Sequence, residues 1–107
     1  NHPARTAERV ATLDLISGGR VEFGSGESAT TGEMGGFNVD PALKRDQWRE
    51  GLEVAVRCLT ETPFTGVDGK WVKMPPRNVV GINSSAGASV DISRADIWTC
   101  CPGYSST

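Results

Sequence analysis

The sequence predicts an α/β segment in which helices alternate with strands that pair in parallel. Three observations carry this reading. A helical stretch is stopped by Gly18 and Gly19 and runs at once into a short strand ending Gly24, Ser25, Gly26. A second helix follows, and the chain later reaches a buried-type strand over 97–101. The resulting order of helix, strand, helix, hairpin, strand implies parallel pairing through a right-handed crossover. At 107 residues the chain holds at most one core, and two such strands make neither a closed barrel nor a well-covered sheet. Residues 1–107 are therefore expected to be a single incomplete segment of a larger domain. The start at Asn1, without methionine and directly before a helix, points the same way.

The first helix opens at His2 and Pro3, since proline is favoured where its missing N–H would have no helical partner. Pro3, Ala4, Ala7, Val10, Ala11 and Leu15 fall on one face, opposite Arg5, Glu8, Arg9 and Thr12. Asp14 interrupts the apolar stripe near the helix C-terminus, where the dipole disfavours negative charge. It is expected to brace the helix end through the N–H groups around Gly18 and Gly19 and the Arg20 guanidinium, with a catalytic carboxylate as the alternative. Gly18 and Gly19 supply the left-handed cap. From Arg20 the chain alternates, with Val21, Phe23 and Ser25 on one side and Glu22, Gly24 and Gly26 on the other. Glycines within a strand are kept where a ligand or another backbone comes close.

Residues 27–39 read as a glycine-rich loop with room for a helical turn. Asp40 and Pro41 repeat the cap-plus-proline start, and Trp48, Leu52, Ala55, Val56 and Leu59 recur at helical spacing. Arg49, Glu53 and Arg57 form four-residue charge pairs, read as a solvated face. The Asp68-Gly69 pair, between Phe64-Thr65-Gly66 and a run from Lys70 to Met74, signals a β-hairpin that Pro75 and Pro76 break. Arg77, Asn78, Val79 and Val80 read as extended, and residues 81–89 are rich in Ser, Gly and Ala.

Composition excludes several function classes. A net charge of −2 leaves no electrostatic footprint for nucleic acid or an anionic membrane. No apolar run is long enough to span a bilayer and no signal segment opens the chain, so a soluble, cytoplasmic protein is expected. Cys58, Cys100 and Cys101 lack metal-ligand spacing and His2 is the one histidine, so no metal site is expected and the cysteines read as buried thiols. The Asn83-Ser84-Ser85 triplet reads as a chance match to the glycosylation pattern.

The block HPARTAERVATLDLISGGRVEFGSGES, the helix WREGLEVAVRCL, the excursion PFTGVDGKW, the segment MPPRNVV and the strand IWTCC together resemble the luciferase-like flavin-dependent monooxygenases, which include deazaflavin-dependent oxidoreductases. The resemblance implies a partial TIM (β/α)8 barrel of which this chain supplies a middle portion. In that fold chemistry sits at the C-terminal ends of the strands. It implies that Gly24, Ser25, Gly26, Glu27 and Ser28 lie at the edge of the cofactor, reduced FMN or the deazaflavin F420. The implied activity of the full-length parent is oxidation of a small organic substrate with reduced flavin and oxygen. The alternatives are deazaflavin-dependent hydride transfer, or a truncated or degenerate fragment without activity of its own. Relatives often dimerise, so a homodimer of the parent is expected. Glu27 stands where the family often carries an arginine, and a carboxylate repels phosphate unless a cation intervenes. The connection 81–96 also departs from the family's pattern.

Within this frame His2 either orients substrate or flavin at the barrel mouth or caps its helix. Ser25 and Ser28 either donate to a phosphate or ring carbonyl or satisfy local backbone. Trp48, Trp71 and Trp98 read as packing residues more readily than as a flavin stack. No catalytic acid or base is assignable within the segment.

Overall fold

Helix α1 spans Pro3–Ser17 in the computed structural model, which describes residues 1–61, 63–77 and 98–99. The His2 carbonyl accepts from Arg5 N and Thr6 N at 2.9 and 3.1 Å, and its side-chain Nδ1 accepts from Ala4 N at 3.2 Å. His2 is thus the helix cap, with Pro3 in the first turn as expected. At the other end Gly18 and Gly19 adopt φ of +69° and +80°, the left-handed geometry that lets Gly19 N close back on Asp14 O at 2.9 Å. The Asp14 brace is present with a different partner: Oδ1 accepts from Val21 N at 3.5 Å, while the Arg20 guanidinium turns to Ser17 O at 2.7 Å.

The inward face of α1 follows the expected stripe at Pro3, Ala4, Ala7, Val10 and Ala11 and departs from it at Leu15. Pro3, Ala7, Val10 and Asp14 face inward, whereas Leu13, Leu15 and Ile16 are exposed, Ile16 at 79%. Leu15 therefore leaves the predicted stripe, and Asp14 keeps its place on the inner side because its carboxylate reaches the chain beyond the glycine turn.

Strand β1, Gly24–Ser25, pairs in parallel with β4, Trp98–Thr99, in the register Gly24 to Trp98 and Ser25 to Thr99. The parallel pairing expected from the helix–strand order is present. Between these strands in sequence lie α2, Thr31–Gly36, and α3, Lys44–Thr60. Asp40 caps a turn, accepting from Ala42 N at 2.9 Å, and the helix proper begins three residues after Pro41. Helix α3 packs on α1. Ala7, Val54 and Ala55 are buried, and a Cβ at Gly51 would meet Pro3 Cγ at 3.8 Å, so small residues set the close approach.

The hairpin differs from expectation in its turn. Its strands are β2, Val67–Asp68, and β3, Lys73–Met74, joined antiparallel with Val67 opposite Met74. The turn lies over 69–72, closed by Gly69 N donating to Val72 O at 2.8 Å, two residues later than the Asp68-Gly69 signal suggested. Pro75 and Pro76 do not end the pairing, because Arg77 N donates to Phe64 O at 3.0 Å. Helix α3 explains the shift. Glu50 accepts from the backbone at 70–72. Arg57 grips the base, donating to Glu61 at 2.7 Å, Thr65 Oγ1 at 2.9 Å and Gly66 O at 2.7 Å, with its guanidinium 5.3 Å from the Phe64 ring. Arg57 is thus a packing residue and not part of a solvated face. Phe64 and Val72 are buried beneath the hairpin.

The expected connection over 81–96, the Asn83 triplet and the thiols Cys100 and Cys101 lie outside the described residues. Cys58 is half-buried, and burial pushes its thiol up, which favours the protonated form. Among the described residues no helix is long and apolar enough to cross a membrane, and no group of His, Cys, Asp or Glu is gathered for a metal ion.

Three carboxylates titrate below their usual range. Ser28 and Thr30 donate to Glu33; Glu50 is pushed up by desolvation but held lower by three backbone N–H groups; Arg57 holds Glu61 down. Each binds its proton more weakly folded than unfolded. Their contribution is therefore present above the unfolded carboxylate range near 4.3 and lost as pH falls through the lower folded values. The melting midpoint should fall between about pH 5 and pH 3, and Glu61→Gln should flatten that fall in a pH series of thermal melts.

Candidate functional site

The tail of β1 is held by the first turns of α3. Trp48 Nε1 donates to Ser25 Oγ at 2.9 Å. Arg45 donates to Glu27 Oε1 at 2.9 Å through one terminal nitrogen and at 3.3 Å through Nε. Lys44 Nζ donates to the Ser28 carbonyl at 2.8 Å. Three side chains within five residues of one helix thus hold three successive points of the segment 25–28. Helical geometry permits this because residues three and four apart share a face.

The far side of the same segment is closed by α2. Ser28 Oγ donates to the Glu33 carboxylate and accepts from Thr30 N at 3.3 Å. Met34 is buried from α2, and Val39 N donates to Met34 O at 2.8 Å, folding the chain back toward α3. Between these elements lies a cavity of about 380 Å³. Phe23, Met34, Phe37, Trp48 and Leu52 supply its apolar wall, and Ser25, Glu27, Ser28, Glu33 and Lys44 its polar groups. The size falls within the range of small-molecule pockets.

Of the residues predicted for a cofactor edge, Ser25, Gly26, Glu27 and Ser28 line this cavity and Gly24 does not. Alternation along the strand accounts for Gly24, whereas Gly26, although exposed, borders the cavity with Ser25, Glu27 and Ser28. Val21, Phe23 and Ser25 are half-buried, while Glu22, Gly24 and Gly26 are exposed. Ser25 is engaged by Trp48 from α3, and Ser28 locally by Glu33 and Thr30. His2 caps α1 and does not line the cavity.

Glu27 is the informative position. Its side chain is only 12% exposed, and Arg45 stands over it at 63% exposure. A carboxylate at a strand end is thereby paired with a guanidinium, with the Lys44 ammonium bound to the adjacent carbonyl. Sequence reasoning missed Lys44 and Arg45, which lie 16 and 18 residues beyond their partners. Trp48, read as a packing residue, lines the cavity and donates an indole hydrogen bond that sequence reasoning did not find. The available signal was the coincidence of two cations and an aromatic in one helical turn, which alone reads as a solvated helix start.

With this geometry in view, comparison with known proteins places the chain. The model of the luciferase-like monooxygenase family matches residues 1–101, and the chain belongs to that family. An uncharacterised protein of Mycobacterium tuberculosis is 39% identical over 74 residues, which cover 69% of this chain and 26% of that protein. An uncharacterised protein of Sinorhizobium fredii is 34% identical over 59 residues, covering 55% of this chain and 17% of that one. Among solved structures, monooxygenase RslO1 from Streptomyces bottropensis superposes with a TM-score of 0.67 at 30% identity, over 76% of this chain and 24% of that one. The mixed helix–strand architecture therefore resembles a luciferase-like monooxygenase fold. The chain spans about a quarter or less of the length of these relatives.

The bond from Trp48 to Ser25 is the link between helix and strand tail that is simplest to remove. Trp48→Phe and Ser25→Ala should each cost about 1 kcal/mol in urea unfolding, and the double variant should cost less than their sum.

Proposed function

We propose that this chain is one stretch of a (β/α)8 barrel whose full-length parent is a flavin-dependent monooxygenase, and that the tail of β1 lies at the edge of the reduced flavin. The observation that carries this reading is the two-sided strand. Its Ser25 side is pinned to α3, while Gly24, away from the cavity, and Gly26, at the cavity's edge, are exposed, and their lack of a side chain permits close approach of a planar ring. Family membership supports the oxidoreductase class. The parallel pair of β1 with β4, with α2 and α3 between them in sequence, supports the barrel, because such a crossover is its repeating unit.

The residues fit the group in one particular way. A lone carboxylate at position 27 would repel a phosphate chain, but Arg45 and Lys44 bring two cations to the same strand end. A reduced flavin held here by these residues would supply the electrons that activate oxygen toward a small organic substrate. The chain's own contribution is positional. Gly24 and Gly26 leave room for the ring, the α3 contacts fix the backbone of 25–28, and Phe23, Met34 and Trp48 exclude water behind it. The alternation also sorts the site residues by role, making Ser25 a support for the strand and Gly24 and Gly26 the points of approach. Substrate binding, any catalytic acid or base and any dimer contact belong to the parent as a whole.

Anaerobic titration of the full-length parent with reduced FMN should show saturable binding in the micromolar range. Gly26→Val should weaken it by about tenfold or more, equivalent to some 1.4 kcal/mol, with an unchanged melting midpoint. Absence of saturable binding to the folded protein would remove the cofactor assignment, and selective binding of reduced F420 would move it to deazaflavin-dependent hydride transfer.

A further inference from the structure

Away from the strand end, the hairpin turn meets α3 through a single carboxylate. Glu50 Oε1 accepts from Trp71 N at 2.8 Å and Val72 N at 2.7 Å, and Oε2 accepts from Lys70 N at 3.0 Å. Three successive backbone N–H groups thus converge on one anionic group. Consecutive N–H groups in a turn form a concavity that binds anions through partial charges fixed in place by the fold. The turn is shaped around its occupant. A Cβ at Gly69 would lie 2.6 Å from Glu50 Cδ and 2.9 Å from Val72 O, so the absence of a side chain at 69 makes room for the carboxylate. Both carboxylate oxygens are used, which matches a planar two-oxygen ion better than a spherical one. Lys70 adds positive charge from the turn itself, with its ammonium held over the Trp71 ring at 4.7 Å.

The turn does not depend on Glu50 alone for its place. Arg57, two helical turns further along α3, holds Thr65 and Gly66 at the hairpin base, and Phe64 and Val72 are buried. Removal of the Glu50 side chain therefore leaves the N–H groups facing α3 across the space that the carboxylate filled.

We propose that the turn 69–72 is a backbone anion site whose resident ligand is the Glu50 carboxylate, and that it accepts a small free monocarboxylate when that side chain is removed. In the intact protein the tethered carboxylate, present at high effective concentration, keeps free anions out. The hairpin is accordingly latched to α3 by a ligand that the helix carries.

The test compares the parent protein with Glu50→Ala in sodium formate and in sodium chloride at equal ionic strength. The readouts are the melting midpoint and hydrogen exchange of the amides at 70–72. In chloride the variant should melt lower than the parent and exchange these three amides at least about tenfold faster. Formate should restore both in a saturable manner, while the parent responds alike to the two salts. Should the variant lack a cooperative melt, recovery of that melt in formate but not in chloride supports the site. Equal behaviour of the variant in the two salts overturns it. Glu50→Gln keeps the side-chain volume but loses the charge and one acceptor oxygen, and should also expose these amides; parent-like protection in this variant would equally overturn the proposal.

Discussion

The attachment of the first turns of α3 to the tail of β1 is the constraint on which the site depends. A two-residue parallel pair has little stability of its own, and glycines on either side of Ser25 weaken it further. What fixes the segment is the set of contacts from Lys44, Arg45 and Trp48 to Ser28, Glu27 and Ser25. These use a carbonyl, a carboxylate and a hydroxyl as acceptors, so they define position and direction as well as proximity. Without them the exposed glycine side of the strand would have no set orientation.

Helix α3 serves three neighbours from one cylinder. Its first turns face the strand tail, its small and aliphatic residues face α1, and Glu50, Arg57 and Glu61, at i, i+7 and i+11, face the hairpin. The charged residues on this last face serve packing. The Arg57 guanidinium lies over the Phe64 ring while it bridges Glu61, Thr65 and Gly66, so the planar head meets an aromatic face and satisfies backbone and side-chain acceptors together. The hairpin is therefore positioned by the same helix that positions the strand end.

Much of this arrangement was legible in the sequence. His2 with Pro3 and the Gly18-Gly19 pair marked both ends of α1, because capping and left-handed glycine are local effects. The two-sided reading of 21–26 follows from the period of a strand and agrees with the burial of Val21, Phe23 and Ser25. The family resemblance, drawn from the first block and the later segments in order, agrees with the match over residues 1–101. Contacts across distance were not legible. The hairpin turn moved because Glu50, about 20 residues away in sequence, captures its amides, and local turn preference carries no information about such a partner. Arg45 over Glu27 was hidden for the same reason, as was the outward turn of Leu15.

The central claim is that the glycine side of β1, held from behind by α3, meets the flavin. Hydrogen-exchange mass spectrometry of the full-length parent, with and without reduced FMN, tests it most directly. Peptides covering residues 20–28 should gain protection on binding while those covering the hairpin at 67–74 stay unchanged. Protection confined to the hairpin, or none at 20–28 under saturating flavin, would contradict the account.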